Sequence, residues 1–197
     1  MPYEISIRIP KERIGVLIGK GGSTKRMLEE LTGAEIIVDS GTGEVTIRFH
    51  EMPKDPLLPQ KLESVIRAIG RGFNPEIAIK LLDDEYVLEV IDIRRFVGSS
   101  KNALRRMRGR IIGEKGKSRT FIEKKTGTHI SVYGHTVSII GKLYDILPAR
   151  EAIFSLLEGS MHSTAFRAME KKISEIESRR SYEEMYWRKL KKELEES

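Results

Sequence analysis

One segment of this chain occurs twice, and the repetition limits the possible folds more than any other feature. Ile18–Val38, IGKGGSTKRMLEELTGAEIIV, aligns without a gap with Ile112–Val132, IGEKGKSRTFIEKKTGTHISV. The offset is 94 residues throughout, and both copies contain a G-x-x-G segment followed by a Thr-Gly pair. A match of this length in a single register indicates two copies of one structural module.

The first copy predicts the element order βααββα. Ile5, Ile7 and Ile9 alternate with polar residues, as in a half-buried strand, and Pro10 ends that strand. Gly33 has the position of a residue just beyond a helix C-terminus. The predicted elements are a strand ending at residue 9, helices over 11–18 and 23–32, strands over 35–39 and 44–49, and a helix over about 57–71.

The second copy follows the same order but contains an insertion. Ile93 lies 20 residues before Gly113, whereas Ile9 lies 10 residues before Gly19. The added residues include SSKNALRRMR, 99–108, which predicts a capped basic helix inserted beside the loop. The other predicted elements are a strand over 86–93, a helix over 117–126, strands over 128–133 and 136–141, and a helix over about 146–158.

The repeat also predicts the domain organisation. We expect a first domain over 1–72, a short helical linker over 73–84, a second domain over 85–160 and a C-terminal helix over 161–197. Apolar residues of that last helix follow a three-four spacing, which Arg180 and Glu183 interrupt. The helix either packs on its own second domain or binds a partner.

The composition excludes several kinds of site. The chain has no cysteine, so disulfides, thiolate catalysis and cysteine-ligated zinc are ruled out. Its four histidines share no helix-face spacing, and we expect neither a metal nor a cofactor. No apolar run approaches the roughly 18 residues of a membrane span, and the N-terminus lacks a signal-peptide pattern. We therefore expect a cytoplasmic protein that does not bind membranes.

The two glycine loops match neither of the common nucleotide-binding motifs. A P-loop requires Ser or Thr after its lysine, but Gly21 follows Lys20, and in the second copy Ile111 replaces the first glycine of the motif. The dinucleotide motif G-x-G-x-x-G requires a third glycine where Thr24 stands. Both nucleotide-cradle interpretations are therefore rejected.

A G-x-x-G loop between two helices, preceded by Ile-Gly and followed by Thr-Gly, resembles the KH domain. The resemblance covers both copies and implies loops that clamp the backbone of about four nucleotides. Because the first copy starts near residue 1, the accessory strand and helix are expected to follow the core, as in type I KH domains. The expected fold is α+β, with two tandem KH domains, each a three-stranded antiparallel sheet with helices on one face. A tight helix–helix turn without a ligand is the alternative.

Positive charge is concentrated around the second loop. The segment 94–125 contains twelve basic and two acidic residues, whereas 11–31 contains five basic and three acidic residues. A solvated helix face normally mixes both signs, so a nucleic-acid groove explains the segment better. Glu114 departs from this pattern, because it would repel a phosphate unless it pointed away. Phe121 and Tyr133 are the nearest aromatic residues, and Phe121 is expected in the core.

The candidate RNA-binding residues comprise the loops, their flanking cations and the apolar groove beside them. Lys20 and Lys115 are expected to neutralise phosphates, while bases lie on the groove. The full set is Ile18, Gly19, Lys20, Gly21, Gly22, Lys25, Arg26, Ile36, Val38, Arg105, Arg106, Arg108, Arg110, Ile112, Gly113, Glu114, Lys115, Gly116, Lys117, Arg119, Ile130 and Val132.

Three longer segments extend the resemblance to one family. RGFNPEIAIKLLDDEYVLEVIDI, GRIIGEKGKSRTFIEKKTGTHI and HTVSIIGKLYDILPAREAIFSLLEGS resemble the ribosome-assembly KH proteins called partner of Nob one, whose archaeal members are this compact. Membership implies binding at the 3′ end of small-subunit ribosomal RNA, near the site cut by the Nob-one endonuclease. Archaeal members are also linked to the alpha subunit of translation initiation factor two.

Three function classes are compared. The first is a non-catalytic RNA-binding assembly factor, with a general KH protein of translation or RNA turnover as its variant. The second is an RNA-processing enzyme, which would need clustered carboxylates; the best cluster, Asp83-Asp84-Glu85, is typical of a solvated helix end. The third is a protein-interaction adaptor whose KH domains no longer bind RNA. Lys20 and the basic segment favour the first class.

Overall fold

The computed structural model describes residues 3–195, apart from the side chain of residue 193. The first half contains β1 (Tyr3–Arg8), α1 (Lys11–Ile18), α2 (Ser23–Thr32), β2 (Glu35–Asp39), β3 (Glu44–Phe49), α3 (Leu58–Gly70) and α4 (Pro75–Ala78). The second half contains β4 (Tyr86–Asp92), α5 (Arg94–Val97), α6 (Lys101–Ile112), α7 (Lys117–Thr126), β5 (His129–Tyr133), β6 (Thr136–Lys142), α8 (Leu143–Leu157) and α9 (His162–Glu195).

Each half forms an antiparallel three-stranded sheet, and the two sheets have equivalent topologies. The strand orders are β1-β3-β2 and β4-β6-β5, so the last strand of each half is central. Val45 and Ile47 of β3, and Val137 and Ile139 of β6, are fully buried against the helices. The predicted α+β fold with two such sheets is therefore confirmed.

Equivalent hydrogen bonds join the loop helix to the neighbouring strand in both halves. The Glu29 carboxylate accepts from the Ile36 N–H at 2.8 Å, and the Glu123 carboxylate accepts from the Ile130 N–H at 2.7 Å. Glu29 and Glu123 occupy the same position of the repeat. These bonds fix the distance between each loop helix and the strand beside it, which sets the width of the groove between them.

The structure corrects the prediction of an inserted helix beside the second loop. The predicted insertion does not form a separate helix, because α6 continues without a break from Lys101 to Ile112 and ends at the loop. Its N-terminus is capped by Ser100, whose hydroxyl accepts from the Ala103 N–H. The added residues therefore form the short helix α5 and extend the first loop helix. No helix-breaking proline separates the basic segment from the loop, so one helix carries both.

A smaller correction concerns α8, which begins at Leu143 instead of near residue 146. In the structure Pro148 lies in the second turn, fully buried, and α8 starts directly from the end of β6.

The outer face of the second sheet packs against the first domain. The Ser131 hydroxyl donates to the Arg71 carbonyl at 2.8 Å, and the Tyr133 hydroxyl donates to the Glu12 carboxylate at 2.7 Å. Gly72 has a φ of +98°, and a Cβ on it would lie 2.6 Å from the Ser131 hydroxyl oxygen. The chain between the sheets can approach β5 this closely only because it carries a glycine there.

Arg13 of α1 completes this contact between the domains. Its guanidinium donates to the carbonyls of Ile69 and Phe73, at 2.8 Å each, and lies 5.8 Å from the centre of the Tyr133 ring. Ile140 of β6 joins the hydrophobic core of the first domain. The two domains therefore share a packed interface.

A pH-sensitive contact lies at the edge of this interface. The His129 Nε2 is 3.0 Å from the Lys80 ammonium. Burial, and then the Lys80 charge, lower the pKa of His129 below its ordinary value of 6.5, while Glu123 acts in the opposite direction. Well above pH 6.5 the His129 ring is neutral in both the folded and the unfolded chain. As the pH is lowered through 6.5, the unfolded chain takes up the proton first, so the free energy of unfolding decreases as the pH decreases.

We therefore expect the free energy of unfolding to decrease between about pH 7 and the lowered pKa, and His129→Gln to reduce this decrease. Urea unfolding at several pH values measures it. His50→Gln, at an exposed position, is the matched control. Equal pH dependence in wild type and His129→Gln would contradict the assignment.

The apolar contacts that anchor the C-terminal helix α9 lie in its first half, and Arg180 further along stacks on the Tyr144 ring of α8 at 4.9 Å. Ala165 and Met169 are fully buried in the core of the second domain, with Phe166 and Ile173 packed beside them. Beyond residue 176 the described side chains are exposed, except for the half-buried Leu190. Packing on the second domain, the first of the two expectations, therefore accounts for the anchored half of the helix. Among the described residues, no helix is long and apolar enough to cross a bilayer.

Candidate nucleic-acid interface

The first loop, Gly19–Gly22, has a backbone that side chains would obstruct. Gly19 has a φ of 76° and a ψ of 172°, a conformation almost restricted to glycine. A Cβ there would lie 2.7 Å from the Thr24 backbone nitrogen. Gly21 and Gly22 also have positive φ values, of 59° and 81°. The loop therefore presents bare backbone at the start of α2.

The second loop repeats this geometry with one exception. Gly113 has a φ of 74° and a ψ of 175°, and a Cβ there would lie 2.7 Å from the Ser118 nitrogen. Lys115 occupies the position of Gly21, with a φ of 51°, and is the only non-glycine residue with positive φ in the described chain. Glu114 stands where the first loop has Lys20. The two loops thus present their lysines from adjacent, not equivalent, positions.

Both loops lead into helix N-termini that no side chain caps, although the first N–H of each helix already donates to a loop carbonyl, Ser23 to Lys20 and Lys117 to Glu114. Gly22 and Gly116 precede α2 and α7 in left-handed conformations, and neither helix start receives a side-chain cap. The first N–H groups of a helix lack intrahelical partners, and with the helix dipole they favour anions. A phosphate lying over either loop would meet the positive end of the helix dipole.

The first loop is held by its own helix, whereas the second is not. The Arg26 guanidinium donates to the Gly21 carbonyl at 2.8 Å, and Lys25 pairs with Glu29 at 2.9 Å. Thr120 occupies the position equivalent to Arg26 in the second copy. Lys25 and Arg26 are therefore engaged in the protein. The second copy keeps the contact of Lys25 with Glu29 as Arg119–Glu123, but Thr120 cannot replace the bond from Arg26 to the loop.

The apolar candidate residues divide into half-buried and buried positions. Ile18 and Ile112 are half-buried at the ends of the helices preceding the loops, and so are Val38 and Val132 on β2 and β5. Ile36 and Ile130, by contrast, are only 1% and 4% exposed. The half-buried positions can contact a base, while Ile36 and Ile130 form the core beneath the groove.

The basic candidates around the second loop also divide into two groups. Arg105 and Arg108 precede Ile112 by seven and four residues, so they lie on the same side of α6 as the groove. Arg105, Arg106, Lys115 and Lys117 are exposed, and within the described residues no ion pair involves them. These cations are available for phosphates.

Other cations of the segment have partners in the protein. Arg110 donates to the Ser160 carbonyl, and Arg119 lies 3.9 Å from Glu123. Arg94 binds Asp92 at 2.6 Å, and these hydrogen bonds lower the pKa of the Asp92 carboxyl to about 2. Arg110 therefore positions the start of α9, and its guanidinium is not freely available to RNA.

The residues most easily missed in the sequence come from the C-terminal helix. His162 and Phe166 lie beside Phe121 of α7, next to the second loop. Phe121 packs against the core of the second domain, as expected, but it is half-buried and also lines a pocket there. The three-four spacing of α9 indicated that Phe166 packs on something, but it did not identify the partner.

No metal or nuclease site is evident in the described part of the chain. No three residues among His, Asp and Glu are grouped there as metal ligands would be. The acidic run at 83–85 is engaged elsewhere: Asp84 pairs with Lys61 and Glu85 with Lys142, at 2.5 Å each, and Asp83 accepts from the Glu85 N–H at 2.9 Å. These carboxylates bind protein groups, as expected for a solvated helix end.

The paired glycine loops and the two βααββα halves define a tandem KH-domain protein. A KH-domain family model matches residues 4–48, and the model for the second KH domain of PNO1 proteins, a eukaryotic-type (type I) KH domain, matches residues 87–174. A KH domain-containing protein from Methanocaldococcus jannaschii is 48% identical over 174 residues, which cover 88% of this chain and 76% of that protein. The chain belongs to the PNO1/Dim2 family of KH-domain proteins.

Solved structures agree with this assignment. Dim2p from Pyrococcus horikoshii is 45% identical, with a TM-score of 0.80 over 86% of this chain and 99% of that one. A chain of the Pyrococcus horikoshii a/eIF2alpha–aDim2p–rRNA complex is 44% identical, with a TM-score of 0.82 over 88% of this chain and 96% of that one.

The pre-rRNA-processing protein pno1 of Aspergillus fumigatus is a more distant relative. It is 32% identical over 139 residues, which cover 68% of this chain. The matched region spans 54% of that relative, so about half of the fungal protein has a counterpart here.

Proposed function

We propose that this protein is a non-catalytic assembly factor of the small ribosomal subunit, which binds single-stranded RNA at the 3′ end of 16S rRNA or its precursor and assists its maturation. One observation carries the proposal: the second loop presents Lys115 and Lys117 at the uncapped start of α7, beside the exposed arginines of α6. The relatives named for pre-rRNA processing, and the relative solved with rRNA, support the choice of ribosomal RNA.

In this mechanism the RNA backbone lies over the loop and the bases lie along the groove. The glycine at position 113 lets a phosphate approach the backbone, and the positive end of the α7 dipole attracts it. Lys115, Lys117 and the α6 arginines neutralise neighbouring phosphates. Ile112 and Val132 provide the half-buried apolar surface for the bases.

The first loop has a secondary role in this proposal. Its net charge is lower, and Arg26 is already bonded to Gly21. Lys20 remains exposed, so the loop can hold a further phosphate of the same strand.

The expected protein partners follow the family. The Pyrococcus relative was solved together with a/eIF2alpha, and we extend that partner to this chain, together with the Nob-one endonuclease that cuts near the RNA site. The protein would act in the cytoplasm, where the small subunit meets initiation factors. RNA cleavage by the purified protein would contradict the non-catalytic assignment.

The proposal predicts a steep dependence of RNA affinity on salt. If the protein neutralises about four phosphates, affinity for a short single strand should fall about 50-fold between about 50 and 200 mM monovalent salt. Fluorescence anisotropy with a labelled RNA of the 16S 3′-end sequence measures this slope. A slope near zero would exclude phosphate recognition by the loops and favour the adaptor function.

A further inference from the structure

A pocket of about 430 Å³ lies beside the second loop, on the side away from the groove. It lies between Gly113 and Glu114 of the loop, Ser118 and Phe121 of α7, and the start of α9. Successive helix residues are separated by about 100°, so Ser118 and Phe121 project from α7 opposite Glu123, which bonds to the groove strand β5. The pocket is therefore distinct from the groove, although both share the loop.

Three aromatic rings line one part of the pocket wall. The centres of the Phe121 and Phe166 rings are 4.5 Å apart and tilted by 43°, and the His162 ring stands edge-on to Phe166 at 6.0 Å. All three side chains are half-buried, so part of each ring is accessible. Within residues 3–195 no helix packs on the first domain as α9 packs on the second, so the first loop has no counterpart of this pocket there.

The polar groups of the pocket include one without a partner. Ser118 is 5% exposed, yet its hydroxyl forms no hydrogen bond in the structure. A buried hydroxyl without a partner is unfavourable, which points to a ligand group that would complete it. The Glu114 carboxylate and the Lys117 ammonium lie at the rim and are exposed.

The His162 ring is held in place by the protein. Its Nε2 lies 2.8 Å from the Arg110 carbonyl, which can only accept, so Nε2 is the donor. In the neutral ring the other nitrogen, Nδ1, is then an acceptor. The pocket thus combines π faces with fixed donors and acceptors.

We infer that this pocket binds one unstacked nucleobase of the RNA strand that the second loop holds. The inference rests on the proposed function, since the strand must first be bound by that loop. A base has two apolar faces, which stack on phenyl rings, and a polar edge that can form a hydrogen bond with the Ser118 hydroxyl. A nucleotide whose phosphate is bound at the loop would have its base within reach of a pocket bounded by the same loop.

This site also explains the acidic residue in the loop. Glu114 would repel a phosphate, but it lines the pocket, where a carboxylate accepts hydrogen bonds from an exocyclic base amine. Adenine, cytosine and guanine carry such an amine, whereas uracil does not. The pocket should therefore select against uridine at one position.

The test uses RNAs of the 16S 3′-end sequence in which each base in turn is replaced by an abasic residue. Phe166→Leu keeps apolar volume but removes the ring, so we expect about 5- to 10-fold weaker binding. At one position the abasic RNA should weaken binding to wild type but not to Phe166→Leu, and uridine there should also weaken wild-type binding. Phe96→Leu, whose ring pairs with Phe154 outside the pocket, is the matched control.

Ser118→Ala keeps the test valid if Phe166→Leu perturbs folding. Because the hydroxyl is unpaired in the free protein, its removal should not lower the free energy of unfolding, yet it should weaken RNA binding several-fold. Full affinity in both variants, or identical abasic profiles for wild type and Phe166→Leu, would overturn the base pocket. If Lys115→Asp also leaves binding unchanged, the loop clamp itself fails, so the two failures are distinguishable.

Discussion

Lys115→Asp should weaken binding of a 16S 3′-end RNA about 100-fold, because it replaces a phosphate-binding cation with an anion at the most basic part of the surface. The backbone should tolerate the change. Lys115 has a φ of 51°, and Asp and Asn accept this left-handed region better than most residues. A loss of affinity would therefore report on charge and not on the shape of the loop. Titration calorimetry or anisotropy at low salt measures it.

Three variants serve as comparisons for this result. Lys115→Asn removes the positive charge without adding a negative one, so we expect an intermediate loss of about 10-fold. Lys191→Asp makes the same net charge change on the exposed end of α9 and should have little effect. The pair Lys20→Asp/Gly21→Asp tests the first loop, and we expect it to cost less than Lys115→Asp. Unchanged binding in both loop variants would contradict the clamp.

Gly113→Ala should lower the free energy of unfolding by about 3 kcal/mol. Its φ of 74° and ψ of 175° are nearly restricted to glycine, and the new Cβ would lie 2.6 Å from the Ser118 Cβ and 2.7 Å from its nitrogen. These atoms belong to the start of a helix, so they cannot move aside independently.

Gly116→Ala is the matched control within the same loop. Gly116 also has a positive φ, of 78°, but nothing lies within 4 Å of the position its Cβ would take. We expect a loss of only about 1 kcal/mol, from the backbone conformation alone. Urea denaturation of both variants measures the difference. Equal losses would show that the close approach to Ser118 is not what requires glycine at position 113.

Much of the fold could be predicted because its determinants are local. Helix and strand periods, the glycines at 33 and 127 and the hairpin turns depend on residues close together in sequence, and the internal repeat gave each element twice. The inserted segment was predicted less well. SSKNALRRMR has a good cap in Ser100, but nothing in its pattern shows whether the helix stops before the loop or continues into it. Packing of Met107 and Ile111 in one core made it continuous.

The candidate site shows the same division. The loop glycines and lysines were identified from the sequence, since their spacing is the signal. The sequence could not show which cations are available for RNA, because nothing in it distinguishes Arg110 and Arg119 from Arg105. Glu123, the partner of Arg119, is close to it in the sequence, whereas Ser160, the partner of Arg110, is far from it. Only the folded structure brings Ser160 to Arg110.

The sequence by itself determined that this chain repeats one module, whose G-x-x-G loops resemble those of KH domains, and that its positive charge lies around the second loop. Backbone geometry that only glycine adopts, apolar periodicity and charge are properties of short segments, so they can be read without the fold. The tertiary structure decided which surfaces remain open. It covers the outer face of the second sheet with the first domain, and it brings His162 and Phe166 to Phe121 across about 40 residues of chain. Such contacts depend on how whole elements pack, and packing is decided by the complementary shapes of distant segments.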